Sequence, residues 1–326
     1  MAVLVVGGAG YIGSHAAHAL KRRGHEPIIY DNLCTGHAEL AQGFEFIQGD
    51  IGDAARLKPI LRRVDAVMHF AAHAYVGESV QKPRKYFQNN LLDGLTLLHA
   101  LLDNGVQKFI FSSTCATYGI PQKMPITEDT PQAPVNPYGV TKLALEQALR
   151  AYHHAYGLRF VSFRYFNAAG ADENGLVGEI HSPETHLIPS AFEAIRGERP
   201  ALEIFGTDYP TPDGTCVRDY IHVSDLAEAH VLGLEYLASG TSAELNLGTG
   251  QGNSVKEVLS TIERITGRNV PKTVGPRRAG DPPELVADPS RARRILGWKA
   301  TRSLQEIVAT AWNWDEKRHK ATHLAS

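Results

Sequence analysis

The chain has 326 residues, 43% of them hydrophobic, with a formal net charge of -2 and a pI near 6.7. Such a chain has no basic excess to attract a phosphate backbone or an anionic bilayer, so we expect neither nucleic acid nor membrane as a partner. The three cysteines, Cys34, Cys115 and Cys216, are far apart and form no C-x-x-C pair. They predict no disulfide framework and no metal site. With no targeting signal at residues 1–6, a cytoplasmic protein is expected.

Short apolar runs alternate with longer amphipathic stretches through the first half of the chain. Because the runs show no polar alternation, they are typical of strands buried on both faces of a parallel sheet. The expected fold class is α/β, a Rossmann-type doubly wound parallel sheet with a smaller C-terminal substrate-binding lobe. The predicted strands are Val3–Val6, Pro27–Tyr30, Phe44–Gln48, Ala66–Phe70, Phe109–Ser112 and Phe160–Tyr165.

The first predicted strand ends in a glycine-rich turn. Gly7, Gly10 and Gly13 fit a GxxGxxG pattern, and an overlapping GxGxxG pattern begins at Gly8. Glycines there let the backbone approach a pyrophosphate, which would lie against the free N–H groups of the following helix. A turn with a purely structural role is the alternative, but the strand before it and the helix after it favour a dinucleotide site.

Acidic and apolar residues follow the next three predicted strands. Asp31 would accept hydrogen bonds from an adenosine ribose and repel the extra phosphate of NADP, which favours NAD as cofactor. Asp50 and Ile51 would bracket the adenine, although a helix-capping role is the alternative for Asp50. Three further residues would lie at the carboxyl edge of the sheet, where cofactors bind; they are Phe70, Ala71 and Ala72.

A hydroxyl cluster follows the fifth predicted strand, at Ser112, Ser113 and Thr114. Thr114 would hydrogen-bond a substrate oxygen. The alternative is that these hydroxyls cap strand ends and helix starts, which stays open for Ser112 and Ser113.

Tyr138 and Lys142 stand four residues apart after Pro137, which opens a predicted helix, so both side chains lie on one helix face. An unperturbed tyrosine has a pKa of about 10, but a nearby ammonium and a positively charged nicotinamide would both favour the phenolate. Tyr138 is therefore the expected general base. A Tyr-x-x-x-Lys pair often occurs by chance, and the dinucleotide pattern ahead of it gives this one weight.

The second half of the chain is richer in turns. We predict that residues 1–166 form an NAD-binding domain, that segments at about 216–248 return to it, and that 167–326 form mainly the substrate-binding lobe. Two later helices are predicted. One opens at Ser254, with Glu257 completing a capping box, and the other runs from about Ser303 to Arg318.

In order and spacing, these motifs resemble the extended short-chain dehydrogenase/reductase superfamily and, within it, the UDP-glucose 4-epimerase family. The narrower resemblance rests on five further motifs that span nearly the whole chain. They are Val76-Gly77-Glu78-Ser79-Val80, Arg164-Tyr165-Phe166-Asn167, residues 208–215, residues 217–223 and Arg277-Arg278-x-Gly280-Asp281.

The resemblance implies an isomerase of galactose and carbohydrate metabolism that interconverts UDP-glucose and UDP-galactose. Tyr138 would remove the proton of the sugar 4-hydroxyl while NAD takes the C4 hydride. The 4-keto sugar would then turn and regain the hydride on its other face. The resemblance also implies a homodimer, formed through the helices around Asp93 and Leu145.

It implies three sets of site residues and no metal. The catalytic residues would be Tyr138, Lys142 and Thr114. The cofactor would contact Gly7, Gly10, Tyr11, Ile12, Gly13, Asp31, Asn32, Asp50, Ile51, Phe70, Ala71, Ala72, Asn89, Thr114, Tyr138, Lys142 and Phe166. The UDP-sugar would contact Thr114, Tyr138, Asn167, His186, Leu187, Arg218, Arg278 and Asp281.

Within the last set, Arg218 and Arg278 would hold the diphosphate as charge-assisted donors, and Asp281 would hold the uridine ribose. For Arg218, simple pairing with a surface carboxylate is the alternative.

Three positions depart from the commonest family pattern. Many relatives have a lysine just before the Val-Gly-Glu-Ser run, where Ala74 and its neighbours offer none. His186 stands where an asparagine is frequent. Leu285 occupies a position at which tyrosine excludes, and a small residue admits, an N-acetyl group. UDP-N-acetylhexosamines and UDP-xylose/arabinose therefore remain alternative substrates.

Two other functions are weaker alternatives. A nucleotide-sugar 4,6-dehydratase would carry an Asp-Glu pair after the cluster threonine, where this chain has Cys115 and Ala116. A non-catalytic NAD-binding regulator would keep the fold without the chemistry. The intact Tyr138, Lys142 and Thr114 argue against it.

Overall fold

Seven parallel strands form the central sheet in a computed structural model of the chain, which describes residues 1–278 and 280–325. The strands are β1 (Ala2–Val6), β2 (Glu26–Asp31), β3 (Glu45–Gln48), β4 (Ala66–His69), β5 (Lys108–Thr114), β6 (Arg159–Tyr165) and β11 (Ala243–Leu247). Their order is β11-β6-β5-β4-β1-β2-β3. The chain thus winds outward from β1 in both directions, and a crevice is expected between β1 and β4, where the winding reverses.

Helices cover both faces of this sheet. They are α1 (Tyr11–Arg22), α8 (Val223–Tyr236) and α10 (Ser290–Leu296) on one face, and α2 (Ala54–Leu61), α5 (Asp93–Asp103) and α6 (Pro137–Tyr156) on the other. Alternate strand residues enter opposite layers: Val3 and Val5 pack in the first, Leu4 and Val6 in the second. Each such buried side chain contributes about 1.5–3 kcal/mol, which explains the unbroken apolar runs.

Two small sheets and three helices form a separate core, and a third small sheet leads into one of these helices. The sheets pair β7 (Asn167–Ala169) with β10 (Tyr220–His222), β8 (Leu202–Phe205) with β13 (Lys272–Gly275), and β9 (Val217–Arg218) with β12 (Asn253–Ser254) and β14 (Glu284–Leu285). The helices are α7 (Leu187–Arg196), α9 (Val255–Thr266) and α11 (Leu304–Ala325). Because β7 follows β6 by one residue, this core begins at the carboxyl edge of the main sheet.

An irregular helical segment connects β4 to α5. After α3 (Val76–Gln81) and α4 (Pro83–Tyr86), residues Phe87–Leu92 form a π-helical stretch. Within it, the buried Asn90 amide donates to the carbonyl of His73 and accepts from its N–H, both at 2.9 Å. The stretch thereby fixes the backbone that follows β4.

The structure confirms the predicted α/β fold class. All six predicted strands form, with ends within two residues of the prediction. The capping box of Ser254 and Glu257 is also confirmed. The last helix runs from Leu304 to Ala325, longer than predicted. No described helix has both the length and the apolar character that a membrane crossing requires.

Candidate active site

The glycine turn between β1 and α1 allows two close backbone approaches. Gly7 has φ +79°, and a Cβ there would lie 2.4 Å from the backbone nitrogen of Ala71. A Cβ on Gly13 would lie 2.3 Å from the carbonyl oxygen of Gly7. Larger residues would therefore push apart the turn, the start of α1 and the segment after β4.

The N-terminus of α1 is open to an anion. Its N-cap, Gly10, provides no side chain, and the first turn contains no acidic residue. Beside it, Tyr11 is buried and donates its hydroxyl to the Gly170 carbonyl at 2.6 Å, while Ile12 packs against the core. Free N–H groups at a helix N-terminus fit the pyrophosphate of a dinucleotide. The turn and helix thus have the shape and polarity that NAD needs.

Asp31 is held rigidly at the carboxyl end of β2. Its oxygens accept from the N–H groups of Ala9 at 3.0 Å and Leu33 at 2.8 Å. Burial raises the pKa of Asp31, and these two hydrogen bonds oppose the rise. The carboxylate is therefore fixed close to the glycine turn, where an adenosine ribose would lie.

Asp50 does not cap a helix. Asp53 caps α2 instead, accepting from the N–H of Arg56. Asp50 accepts from the side chain of Asn32 at 2.9 Å and from the N–H of Gly52 at 2.8 Å. The capping alternative is thus wrong, and two predicted cofactor residues contact each other.

The segment after β4 closes the other side of the turn. The N–H groups of Phe70 and Ala71 both donate to the Val6 carbonyl, at 2.7 and 3.1 Å. Ala72 is partly exposed. Asn89 lies in the π-helical stretch and donates to the side chain of Asn90 at 2.9 Å. The structure therefore brings the predicted cofactor residues of four loops to one sheet edge.

Tyr138 and Lys142 project from the first turns of α6. Asn136 caps this helix by accepting from the N–H of Gly139, and Pro137 is its first residue. Lys142 is 3% exposed and donates to the Ser112 carbonyl at 2.7 Å. Its Nζ lies 5.9 Å from the centre of the Tyr138 ring. The helix therefore places both side chains on one face, as predicted, and this face lies beside the end of β5.

The protonation of this pair differs from the expectation. Burial raises the pKa of Tyr138 to about 12, opposed by a hydrogen bond with Thr114. Burial lowers the pKa of Lys142 to about 7, opposed by the Glu146 carboxylate. Lys142 is not among the groups that shift the pKa of Tyr138, and burial disfavours the charged form of the lysine itself. The expected lowering of the tyrosine pKa by Lys142 is absent from the chain alone.

The three hydroxyls of the β5 cluster have different partners. Ser112 contacts the Tyr165 hydroxyl, and Ser113 donates to Glu146 at 2.5 Å. Neither caps a helix. Thr114 accepts from the N–H of Ala116 at 3.1 Å, which caps the short helix Cys115–Tyr118, and it also bonds to Tyr138. Thr114 therefore has the capping role that was the alternative, and its hydrogen bond to a substrate oxygen stays a prediction.

A buried ion pair behind Lys142 was missed. Arg164 and Glu146 are 1% and 0% exposed and pair at 2.6 Å. Arg164 also contacts Glu244 at 2.7 Å and Tyr118 at 3.0 Å. Glu146 stands one helical turn after Lys142, and that spacing was the available signal. The network joins α6, β6 and β11 beneath the site.

On the substrate side, two residues that are predicted to bind the UDP-sugar contact each other. Arg218 donates to Asp281 at 2.5 Å and to the Pro282 carbonyl at 2.8 Å. Arg278 lies over the Phe205 ring, 4.0 Å from its centre. Arg218 is therefore paired with a carboxylate, and this carboxylate belongs to Asp281, which is also predicted to contact the UDP-sugar.

The remaining predicted substrate residues lie at β7 and α7. Asn167 is partly buried, and its N–H donates to the Asp219 carbonyl at 3.0 Å. His186 is the N-cap residue of α7, and Leu187 is its first residue. Phe166 and Leu285 pack in one small apolar cluster. Leu285, where the resemblance implies a control of sugar size, thus lies beside a predicted cofactor contact.

A group of possible metal ligands was not predicted. Glu179, His181, Glu184 and His186 place ligand atoms within 4.8 Å of one another. The pattern Glu-x-His-x-x-Glu-x-His was visible in the sequence, but the metal expectation rested on the cysteines alone.

Comparison with protein families agrees with this geometry. Residues 3–248 match the model of the NAD dependent epimerase/dehydratase family, and the chain belongs to that family. It is 51% identical to a UDP-glucose 4-epimerase of Rhizobium meliloti (strain 1021), with 98% of both chains covered.

Two solved structures are similar along nearly the whole chain. One is UDP-glucose 4-epimerase from Brucella ovis in complex with NAD, with a TM-score of 0.93, 52% identity, and coverage of 96% of this chain and 98% of that chain. The other is UDP-glucose-4-epimerase from Stenotrophomonas maltophila with bound NAD and formylated UDP-arabinopyranose. Its TM-score is 0.95 at 42% identity, covering 98% and 99% of the two chains.

Proposed function

We propose that the chain is an NAD-dependent isomerase that interconverts UDP-glucose and UDP-galactose at C4. The observation that carries the proposal is the meeting of Tyr138, Lys142 and Thr114 at the sheet edge that also carries the open glycine turn. The UDP-glucose 4-epimerases to which the chain is similar cover nearly its full length. The dinucleotide would be held by the glycine turn, by Asp31 and by Lys142.

In this mechanism, Tyr138 accepts the proton of the sugar 4-hydroxyl and later returns it. Thr114 hydrogen-bonds the reacting oxygen, and Lys142 orients the nicotinamide ribose. The dinucleotide, when bound, supplies the hydride acceptor for C4 and a positive charge that favours the phenolate. Because burial raises the pKa of Tyr138 to about 12, the chain alone keeps the phenol protonated. The base would therefore form only with the oxidised cofactor in place.

The substrate lobe would hold the UDP while the sugar turns. Arg218 and Arg278 would bind the diphosphate, and Asp281, paired with Arg218, would contact the ribose. Asn167, His186 and Leu187 would line the sugar side. If the diphosphate stays fixed, the 4-keto sugar turns about its anomeric oxygen and presents its other face without leaving the site.

An assay without added cofactor tests the proposal. The purified chain is incubated with UDP-glucose, UDP-galactose, their N-acetyl forms, UDP-xylose and UDP-arabinose, and the 4-epimers are separated. We expect equilibration of UDP-glucose with UDP-galactose, fastest among the pairs. Faster turnover of another pair would reassign the sugar, and release of a dehydrated 4-keto product would indicate a dehydratase. If neither a 4-epimer nor NADH absorbance is detected with any UDP-sugar, the chain would be a non-catalytic NAD-binding protein.

We propose the two-lobe division as well, with residues 1–166 and about 216–248 on the cofactor side and 167–326 mainly on the substrate side. The pairing of β11 with β6 supports the return of the chain to the first lobe. Limited proteolysis in the presence of NAD tests it. Protection confined to the first set of segments is expected.

We propose that the chain acts as a homodimer in the cytoplasm, in galactose metabolism. Exposed apolar side chains just before the start of α5 support an interface there, with Phe87 38% and Leu92 52% exposed. Leu145 itself is buried beside Gly94, so a partner would contact other residues of α6. Sedimentation equilibrium at micromolar concentration tests the assembly, and a monomer would contradict it.

A further inference from the structure

Four side chains with metal-binding atoms converge on the loop that leads into α7. They are Glu179, His181, Glu184 and His186. The carboxylate side chains are 9% and 6% exposed, and those of His181 and His186 are 20% and 43% exposed. The group is thus largely enclosed, with one histidine at its open side.

The distances between the histidine nitrogens and the carboxylate oxygens are close to those around a tetrahedral ion. His186 Nδ1 lies 2.9 Å from carboxylate oxygens of both Glu179 and Glu184. His181 Nδ1 lies 3.1 Å and 3.6 Å from oxygens of the same two residues. Ligands about 2.1 Å from a zinc ion stand about 3.4 Å apart at tetrahedral angles. The four histidine–carboxylate distances, 2.9 to 3.6 Å, are close to this separation, and all four residues place a ligand atom within 4.8 Å of one another.

The ligands are also held in position. Glu184 Oε1 accepts from the N–H groups of Thr185 at 2.7 Å and His186 at 2.8 Å. His186 is the N-cap residue of α7. Tyr75 packs against both imidazole rings, with centroid distances of 6.0 and 6.2 Å. Such outer contacts orient metal ligands in known sites.

One nitrogen has no satisfactory partner in the described chain. His181 Nδ1 is buried and makes no well-angled hydrogen bond within residues 1–278 and 280–325, although two carboxylates lie near it. A buried polar atom in this state usually has a water or ion as its partner. This nitrogen faces the centre of the cluster.

We propose that Glu179, His181, Glu184 and His186 bind one divalent transition-metal ion of the zinc class, which ties the loop to the start of α7. Two imidazoles and two carboxylates suit zinc better than magnesium or calcium, which prefer six or more oxygens. With neutral imidazoles, the two carboxylate charges balance one divalent cation. The site would hold Leu187 in place and take no part in the reaction.

Protons on His181 and His186 would compete with a metal ion for these four side chains. Burial lowers the pKa of His181, but the Glu179 and Glu184 carboxylates outweigh it and raise the pKa to about 9. The same carboxylates raise the pKa of His186 to about 10 against its burial. Two imidazolium–carboxylate pairs would have the same net charge as the metal site. A metal measurement is therefore decisive.

The test uses the full chain without an affinity tag, freed of metal with a chelator and then dialysed against micromolar zinc chloride. We expect about one zinc per chain and a higher thermal midpoint in zinc than in magnesium. His181→Gln and Glu179→Gln should each weaken zinc binding by about 100-fold or more and abolish the thermal shift. Circular dichroism and NAD binding verify that the variants fold.

His319→Gln is the matched control. His319 also has two carboxylates near it, Glu198 at 3.6 Å and Asp315 at 3.8 Å, but on opposite ring nitrogens, so they cannot share one ion with it. This variant should bind zinc like the unmodified chain. Zinc at equal stoichiometry in the double variant His181→Gln/Glu179→Gln, or none in the unmodified chain, would overturn the proposal.

Discussion

The two halves of the candidate active site are built from different kinds of structure. On the cofactor side, most predicted residues follow strands of one seven-stranded parallel sheet, and tight backbone contacts such as Gly7 to Ala71 fix the loops. Asn89, Tyr138 and Lys142 lie on helices instead. On the substrate side, sheets of two and three strands present the residues, and ion pairs such as Arg218 to Asp281 position them.

Because of this difference, we expect the two halves to respond differently to substitutions. The cofactor half depends on packing and on buried groups whose pKa values are strongly shifted, such as Tyr138 and Lys142. The substrate half depends on charged side chains that already pair with each other, such as Arg218 and Asp281, which are 11% and 29% exposed. A substitution in the first should therefore cost activity or stability outright, whereas one in the second should mainly weaken substrate binding.

The largest effect is expected at the general base. Tyr138→Phe should lower kcat by about 10³-fold or more, because no other group would take the proton of the 4-hydroxyl. NAD content and UDP affinity should stay nearly unchanged, since only one hydroxyl is lost. Turnover and ligand binding are measured on the same preparation. Tyr156→Phe, at the exposed end of the same helix, is the control and should be fully active.

The next effect concerns the buried network beneath the cofactor half. Arg164→Met leaves Glu146 buried without its main cation, which should lower the free energy of unfolding by about 3–5 kcal/mol. Urea denaturation followed by circular dichroism measures it. The control is Arg63→Met, which removes an exposed pair with Glu45 and should cost about 0–1 kcal/mol. Equal losses in both variants would mean that burial does not distinguish the pairs.

A smaller effect is expected in the substrate half. Arg218→Met should weaken UDP binding by about 10- to 100-fold, the loss of a charge-assisted contact of 1.5–3 kcal/mol. Asp281→Asn should weaken it less. Calorimetry on both variants and on the double variant measures their coupling. If the losses of UDP binding free energy in the two single variants add up to the loss in the double variant, the ion pair with Asp281 does not position Arg218 for UDP.

The smallest effect concerns cofactor choice. Asp31→Asn should shift the ratio of NAD to NADP affinity towards NADP by about tenfold, because one charge repelling the 2′-phosphate is removed. Competition between the two dinucleotides measures the ratio. Asp50→Asn, in the next loop, should leave it unchanged. A shift with Asp50→Asn alone would move the predicted ribose contact from Asp31 to Asp50.

Sequence predicted the sheet well because its signals are local and repeated. Apolar runs, the glycine turn and the capping box of Ser254 each fix their own structure. The contact between Arg218 and Asp281 spans 63 residues and has no local pattern. The two residues were therefore assigned to different parts of the UDP-sugar, the diphosphate and the ribose. Likewise, the pKa of Tyr138 depends on its burial and on its hydrogen bond with Thr114, which only the assembled structure gives.

The partners of Glu146 show the same limit at close range. Its spacing from Lys142 was readable, but the arginine that pairs with it comes from β6, on another element. The cluster around His186 lies within eight residues and was overlooked because only cysteine spacing was considered.

The π-helical stretch at Phe87–Leu92 makes the length of this segment as important as its composition. A π turn carries one more residue than an α turn. Deleting one residue there would restore a regular helix and rotate Asn90 away from the backbone of His73, which it now holds by two hydrogen bonds. Both the number of residues in this stretch and the side chain of Asn90 are therefore needed to hold the backbone of His73.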